Sequence, residues 1–448
     1  MKNSIKVANG QGFWGDSIDA PVNLVKYGNI DYLTLDYLAE VTLSIMQRQK
    51  LKNPNKGFAT DFLDLFKRIA KDIIKKNIKV ITNAGGVNPE SCKNALLEIC
   101  KDLNLNIKVS IIKGDDILPN IDKLIQSGAD LSNMDNGADF NNIRDNVYSA
   151  NAYIDSFSIA SALESGANIV LAGRVSDPGL VLGPAIYEYK WSKTDYDKLA
   201  AGTLAGHILE CGAQCSGGNF TKWDTIDDLI NVGYPIAEIT DSTTFKIKKV
   251  KNSGGLINKY TIIEQVLYEM GNPKKYISPD VIVDFTSFKL VETGINEVTV
   301  SDVKGFKPTD TYKVSINYFN GYKSSSQLTV CGPDALEKAR LTADIIWGRL
   351  EKAGFTFDDT LTEFLGLSSC HGNKINRSNR VANEIVLRLS VRDNDKSKLI
   401  RFAKEIAPVI TTGPPGITGF SGGRPRPQEI IAFWPCLIDK KFIKTEVY

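Results

Sequence analysis

From Ser4 to Ala172, short apolar runs alternate with longer stretches of helical periodicity. Ser4–Asn9, Tyr32–Leu38, Lys79–Asn83, Ile107–Ile112 and Asn168–Ala172 read as strands that are apolar nearly throughout. Asp61–Lys76 places Phe62, Leu65, Phe66, Ile69 and Ile73 at helical spacing with lysines opposite. Pro89–Leu103 reads as a helix starting after Asn88, and Ser156–Glu164 as another. Strands with two apolar faces, alternating with helices, imply a parallel sheet covered on both sides. The expected fold class is α/β, with a doubly wound, mainly parallel sheet over residues 1–233.

Near residue 234 the pattern changes. Short β runs (Phe245–Val250, Tyr260–Ile263, Val281–Phe285, Glu297–Val300, Tyr312–Phe319, Ser326–Val330) are separated by Gly, Pro, Asn and Asp, so 234–332 reads as β-rich. Asp334–Ala353 then reads as a long amphipathic helix, Ile385–Val391 as a strand, Ser397–Ile410 as a helix and Glu429–Pro435 as a last strand. Residues 333–448 are mixed, and 234–448 together form a smaller α+β portion.

Composition narrows the partners. The 448 residues carry 54 Lys+Arg against 52 Asp+Glu, a formal charge of +2, which gives no electrostatic reason to bind nucleic acid or an anionic membrane. No apolar stretch approaches the ~18 residues of a membrane span, and the N-terminus lacks a signal peptide's apolar core. Seven scattered cysteines without a CxxC pair read as free thiols in a reducing cytoplasm.

Candidate chemistry clusters after the strands. Gly10-Gln11-Gly12-Phe13-Trp14-Gly15 has the form G-x-G-x-x-G, with Asp36 ending the next strand where a ribose-binding carboxylate would sit. Against a dinucleotide stand the rings of Phe13 and Trp14 and the charge of Asp16, where a pyrophosphate needs bare backbone. A substrate-facing loop or plain packing remains open. Asn83-Ala84-Gly85-Gly86 offers backbone N–H groups to a thioester or carboxylate oxygen, or forms a tight turn. Gly173-Arg174-Val175-Ser176-Asp177-Pro178 follows the strongest strand, so Arg174 offers a fork to an acid and Asp177 fixes it or acts on substrate.

Gly206-His207-Ile208-Leu209-Glu210-Cys211 carries one of two histidines, with Glu210 one helical turn on, a pairing suited to acid–base work. His207, Cys211 and Cys215 formally make a zinc face, but this needs a helix running through Gly212 and has no fourth ligand, so no metal is expected. Ser132–Gly137 reads as Asx-turns or a cation-binding turn. Cys370-His371-Gly372 reads as a loop feature, and Thr411–Pro427, with Arg424 and Arg426, as an anion-binding loop or a linker.

Taken in order, Asn9–Asp16 with its Gly12, Trp14 and Asp16, then Asp36–Glu40, Asn83–Gly86, Gly173–Pro178, and Gly206–Gln214 followed by Gly217-Gly218 resemble the acyclic terpene utilisation (AtuA) family. Weaker likeness continues to the C-terminus. The resemblance implies a role in breaking down branched isoprenoid acids, such as those from citronellol and geraniol, alongside acyl-CoA carboxylases. It carries no settled reaction. Cys215 stands where the family usually has a small apolar or hydroxyl residue, which weighs further against zinc. The resemblance implies an additional small C-terminal domain, which many members have and which is not expected in this chain, so a separate subunit of that kind is an expected partner.

The resulting expectation is a cytoplasmic, homo-oligomeric catabolic enzyme, a hydratase or lyase acting on a branched acyl-CoA thioester or related acid. His207 would move a proton near the carbonyl with Glu210 orienting it, and Asp177 joins them as catalytic. Gly12, Trp14, Asp16, Asn83, Gly85, Gly86, Arg174, Gly217, Gly218 and Arg424 would bind substrate. No cofactor is expected beyond acyl-CoA as substrate. The alternatives are an NAD(P)- or flavin-dependent oxidoreductase using the first glycine loop, and a non-catalytic subunit that binds acyl-CoA or a carboxylase. All rest on the stretches near 12, 85, 174 and 207 meeting in one cleft.

Overall fold

The first apolar run forms β1 (Ile5–Gln11), a central strand of a ten-stranded sheet. Beside it lie β2 (Tyr32–Leu35), β3 (Lys79–Thr82), β6 (Ile169–Leu171) and β4 (Val109–Lys113), all parallel. The computed structural model describes residues 2–367, 369–370, 382–419 and 423–448.

Helices cover both faces of these strands. α1 (Asp19–Tyr27), α3 (Asp61–Lys75) and α4 (Pro89–Asp102) share one apolar core with Leu33, Leu35, Val80 and Leu171. In α3 the periodic set Phe62, Leu65, Phe66, Ile69 and Ile73 is fully buried, each side chain contributing roughly 1.5–3 kcal/mol. α2 (Thr42–Lys52) precedes α3, and α5 (Ile121–Gln126) and β5 (Val147–Ala152) fill the excursion between β4 and β6. α6 (Phe157–Glu164), α7 (Gly179–Tyr189) and α8 (Tyr196–Leu209) pack in series, with α7 against β1 and β2.

Over residues 1–233 the strands of this sheet are parallel, but the sheet as a whole is mixed, because strands beyond 233 join it. β7 (Pro235–Ile239) adds antiparallel to β1, β8 (Phe245–Lys249) to β7, and the hairpin strands Glu297–Ser301 and Lys289–Gly294 continue outward. Glu446–Val447 closes the other side antiparallel to β4. The change of pattern near 234 therefore marks a change of connection. Parallel neighbours need a crossover, whereas only five residues separate β7 from β8.

Residues Tyr260–Ile263, expected as a strand, lie instead in helix α9 (Lys259–Val266). Asn258 caps it, its Oδ1 accepting from Tyr260 N (2.9 Å) and Thr261 N (3.0 Å), and this box overrides the β-branched run.

The chain divides into two compact units, Met1–Asn317 with Phe433–Tyr448, and Tyr318–Ala432. In the second, the helix Ala335–Lys352 shares a core with antiparallel strand Glu384–Asp393 and helix Lys396–Ile406. Tyr312–Phe319 and Ser326–Val330 belong to a single strand, Thr311–Cys331, which continues through the polar stretch between them. Among the described residues, no helix is long and apolar enough to cross a membrane.

Candidate active site at the carboxyl ends of the parallel strands

Each parallel strand delivers a polar residue to the same edge of the sheet, where open α/β sheets bind ligands. At β1, Asn9 Nδ2 donates to Leu209 O (2.8 Å) and Glu210 O (2.9 Å), tying the strand to the end of α8. A Cβ on Gly12 would fall 2.9 Å from the Cys211 carbonyl carbon, so only glycine allows this approach. Asp16 accepts from Gly12 N (2.9 Å), Ser17 N (2.6 Å) and Tyr234 OH (2.6 Å). Trp14 Nε1 donates to Asp61 (2.8 Å). The loop thus spends the Gly12 amide on its own carboxylate, and α1 opens with Asp19 in its first turn. A pyrophosphate does not fit there.

The ends of β2, β3 and β6 join through buried groups. Asn83 accepts from Tyr37 N (2.7 Å) and donates to Asp36 Oδ1 (2.7 Å). Arg174 is 1% exposed, and its Nη1 donates to Leu38 O (2.8 Å) and Asp177 Oδ1 (2.6 Å). Its guanidinium stacks 4.2 Å over the Tyr153 ring. Burial, reinforced by the charge of Asp177, pushes the Asp36 carboxyl up to about 8, although Arg174 and Asn83 oppose the shift. Asp115 accepts from Arg174 N (2.7 Å) and Asn151 Nδ2 (2.9 Å), and Gly173 has no room for a Cβ beside it.

Beside this cluster a cavity of about 330 Å³ opens to solvent. Asp177, Glu40 and Glu269 bring carboxylates to its wall, Tyr153, Tyr276 and Tyr312 bring rings, and Lys313 an ammonium. Met134, Pro178, Ile277 and Leu437 supply apolar surface. The Asp177 side chain is 33% exposed. Tyr153 OH donates to Glu40 Oε1 (3.0 Å), which also lies 3.7 Å from Lys313 Nζ. Burial works to raise Glu40, but backbone hydrogen bonding, Arg174, Lys313 and Tyr153 together hold it below the usual carboxylate range. Burial keeps the Tyr153 phenol well above its ordinary value, hence protonated.

His207 lies outside the cavity wall, 1% exposed. Its ring packs 5.3 Å from both Tyr276 and Phe285, and Tyr276 is itself part of the wall. Nδ1 is 2.8 Å from Glu210 Oε1, an ion-pair contact between residues one helical turn apart. Nε2 lies 3.2 Å from Val266 O. Burial lowers the imidazole and the Glu210 charge raises it. With the Val266 carbonyl, the net direction is up.

Among the remaining sequence candidates, Gly86 adopts φ +51° against Met46 and Gly57, its N–H donating to Asn83 O, and Gly85 abuts Pro89. Both build the turn. Gly217 (φ +99°) and Gly218 close the short helix Gly212–Ser216. α8 ends at Leu209, so His207, Cys211 and Cys215 share no continuous helix face. Arg424 is exposed and belongs to the second unit. His371 lies outside the described residues. Tyr153, Lys313, Glu269 and Tyr276 carry no motif signal, while Glu40 ends the Asp36–Glu40 stretch.

Fold and site together define an α/β protein with ionisable groups gathered around a cavity at the carboxyl ends of parallel strands. The chain matches the model of the acyclic terpene utilisation family protein AtuA over residues 5–448 and belongs to that family. Neither a curated protein nor a solved structure matches it. The family is one of acyclic terpene utilisation, consistent with a catabolic role.

Proposed function

We propose that the protein is a hydratase or lyase acting on a branched isoprenoid acyl thioester, with the cavity beside Asp177 as its acyl site. One observation carries this reading. Asp177 presents a partly exposed carboxylate to a wall rich in apolar side chains, while a buried guanidinium holds its Oδ1. In hydration, Asp177 takes a proton from water as the oxygen bonds to the β carbon, then returns it to the α carbon. Elimination is the reverse. Lys313 offers positive charge to the thioester oxygen as an enolate develops. Tyr153, kept protonated, holds Glu40 in place. His207 and Glu210 support the site from behind Tyr276 rather than facing substrate.

The test is turnover of citronelloyl- and geranoyl-CoA by the purified protein. Asp177→Asn is expected to lose about 10²–10⁴-fold in kcat, as for a proton-transfer group, and His207→Ala less. Full activity in Asp177→Asn overturns the mechanism.

A further inference from the structure

We propose that a lysine-lined trough adjoining the acyl cavity binds the phosphate-bearing nucleotide portion of the thioester's carrier. The inference rests on the acyl-thioester reading and adds a second binding site to it.

The acyl cavity shares Pro279 and Tyr312 with a second cavity of about 450 Å³, so these two residues form a common wall. The second cavity is lined by Lys193, Lys440 and Lys444, and it shares Lys193, Phe157 and Thr445 with a third of about 640 Å³ that also carries Lys190. Four ammonium groups therefore follow one continuous path away from the acyl site. They share these walls with Asp155, Asp280 and Glu164, four ammonium groups to three carboxyls.

The acids along the path are already engaged. Asp155 accepts from Tyr312 OH (2.8 Å) and lies 3.7 Å from Lys193 Nζ. Asp280 is buried and accepts from Ser156 N (2.9 Å) and Ser156 Oγ (2.8 Å), and burial beside Asp155 raises its carboxyl above the ordinary value. Glu164 pairs with Lys190 (2.7 Å) at the outer end. Lys193 is 72% and Lys444 86% exposed in their side chains, and their ion pairs with Asp155 (3.7 Å) and Glu446 (3.1 Å) are surface contacts weak enough to exchange for a doubly charged anion. Lys440 is held against Pro279 O (2.7 Å) and over the Tyr312 ring, and Lys193 is near enough to repel it. A phosphate between the two ammonium groups would relieve that repulsion. The shared Tyr312 wall puts such a phosphate beyond the cavity that takes the acyl group, the order in which a nucleotide carrier and its thioester run.

Calorimetric titration with free coenzyme A and with pantetheine, which lacks the nucleotide, tests the idea. Coenzyme A is expected to bind at least ten-fold tighter, with affinity falling as salt is raised. Lys193→Ala/Lys444→Ala, confined to exposed side chains, should cut most of that advantage at unchanged melting temperature, and adding Lys440→Gln should remove the rest. Equal binding of coenzyme A and pantetheine, or a double variant that binds like wild type, overturns the proposal. Lysine-dependent binding without turnover of any acyl thioester would sink the hydratase reading and leave the trough standing. Turnover indifferent to the lysines would do the reverse.

Discussion

Arg174 Nη1 lies 2.6 Å from Asp177 Oδ1 and 2.8 Å from Leu38 O, so one buried guanidinium ties the end of β6 to the end of β2. Asp177 is thereby held at the cavity wall by a group that cannot follow it into solvent. The same charge sits close to Asp36 and over Tyr153, and each of these feels its loss. Arg174→Met should therefore destabilise the protein by about 1–3 kcal/mol, the cost of leaving the buried Leu38 carbonyl without its donor. Urea unfolding decides it, and a single variant as stable as wild type would contradict the tie.

Asp36 sets a pH dependence with a definite sign. Its folded-state value, about 8, lies above the ordinary carboxylate value, so the folded protein holds a proton that the unfolded chain releases. The contribution is full below about pH 4 and is lost as pH rises toward 8, with a limiting slope of about 1.4 kcal/mol per pH unit. Asp36→Asn keeps an oxygen to accept from Leu38 N and Asn83 Nδ2 and should flatten that slope. The check is urea midpoints at pH 5 and pH 7.5, where an unchanged slope would show that Asp36 ionises normally.

Gly206 and Gly348 should respond oppositely to alanine. A Cβ on Gly206 would sit 2.3 Å from Pro178 O, pushing α8 off the loop that carries Asp177, whereas Gly348 is exposed, mid-helix, with nothing within 4 Å. Gly206→Ala should cost about 1–3 kcal/mol and reduce turnover. Gly348→Ala should gain roughly 0.5–1 kcal/mol from reduced freedom of the unfolded chain. Thermal melts of the two variants measure both.

Where periodicity was strong, the sequence was legible. Phe62, Leu65, Phe66, Ile69 and Ile73 announce α3 because a helix must bury every third or fourth residue. The antiparallel wing was legible only as separate strands: β8 alternates Phe245 and Ile247 with Lys246, Lys248 and Lys249, and which strand it joins, and in which direction, depends on how the chain returns. At the site, Arg174 and Asp177 stood out by following a strand. Whether a motif amide is free depends on distant residues. Tyr234, 218 positions away, takes up Asp16, and Met46 fills the space at Gly86. Tyr153 and Lys313 had no local signal at all, since each is ordinary in its own segment and meaningful only beside Glu40.

Tyr153 offers the cleanest separation of packing from chemistry. Its ring supports Arg174 at 4.2 Å and Lys313 at 5.0 Å, while its hydroxyl bonds Glu40. Tyr153→Phe keeps the ring and removes one donor, so stability should fall by only about 1 kcal/mol. Glu40 would lose one of the groups that hold it low, and its pKa should move up toward the ordinary value. If Glu40 must be ionised for turnover, the acid limb of the kcat/KM profile shifts to higher pH in this variant. Tyr153→Leu removes both supports and should be less stable than Tyr153→Phe by a further ~1 kcal/mol or more. Melting curves and pH–rate profiles of the pair separate the two roles, and identical profiles in wild type and Tyr153→Phe would leave the hydroxyl a purely structural part.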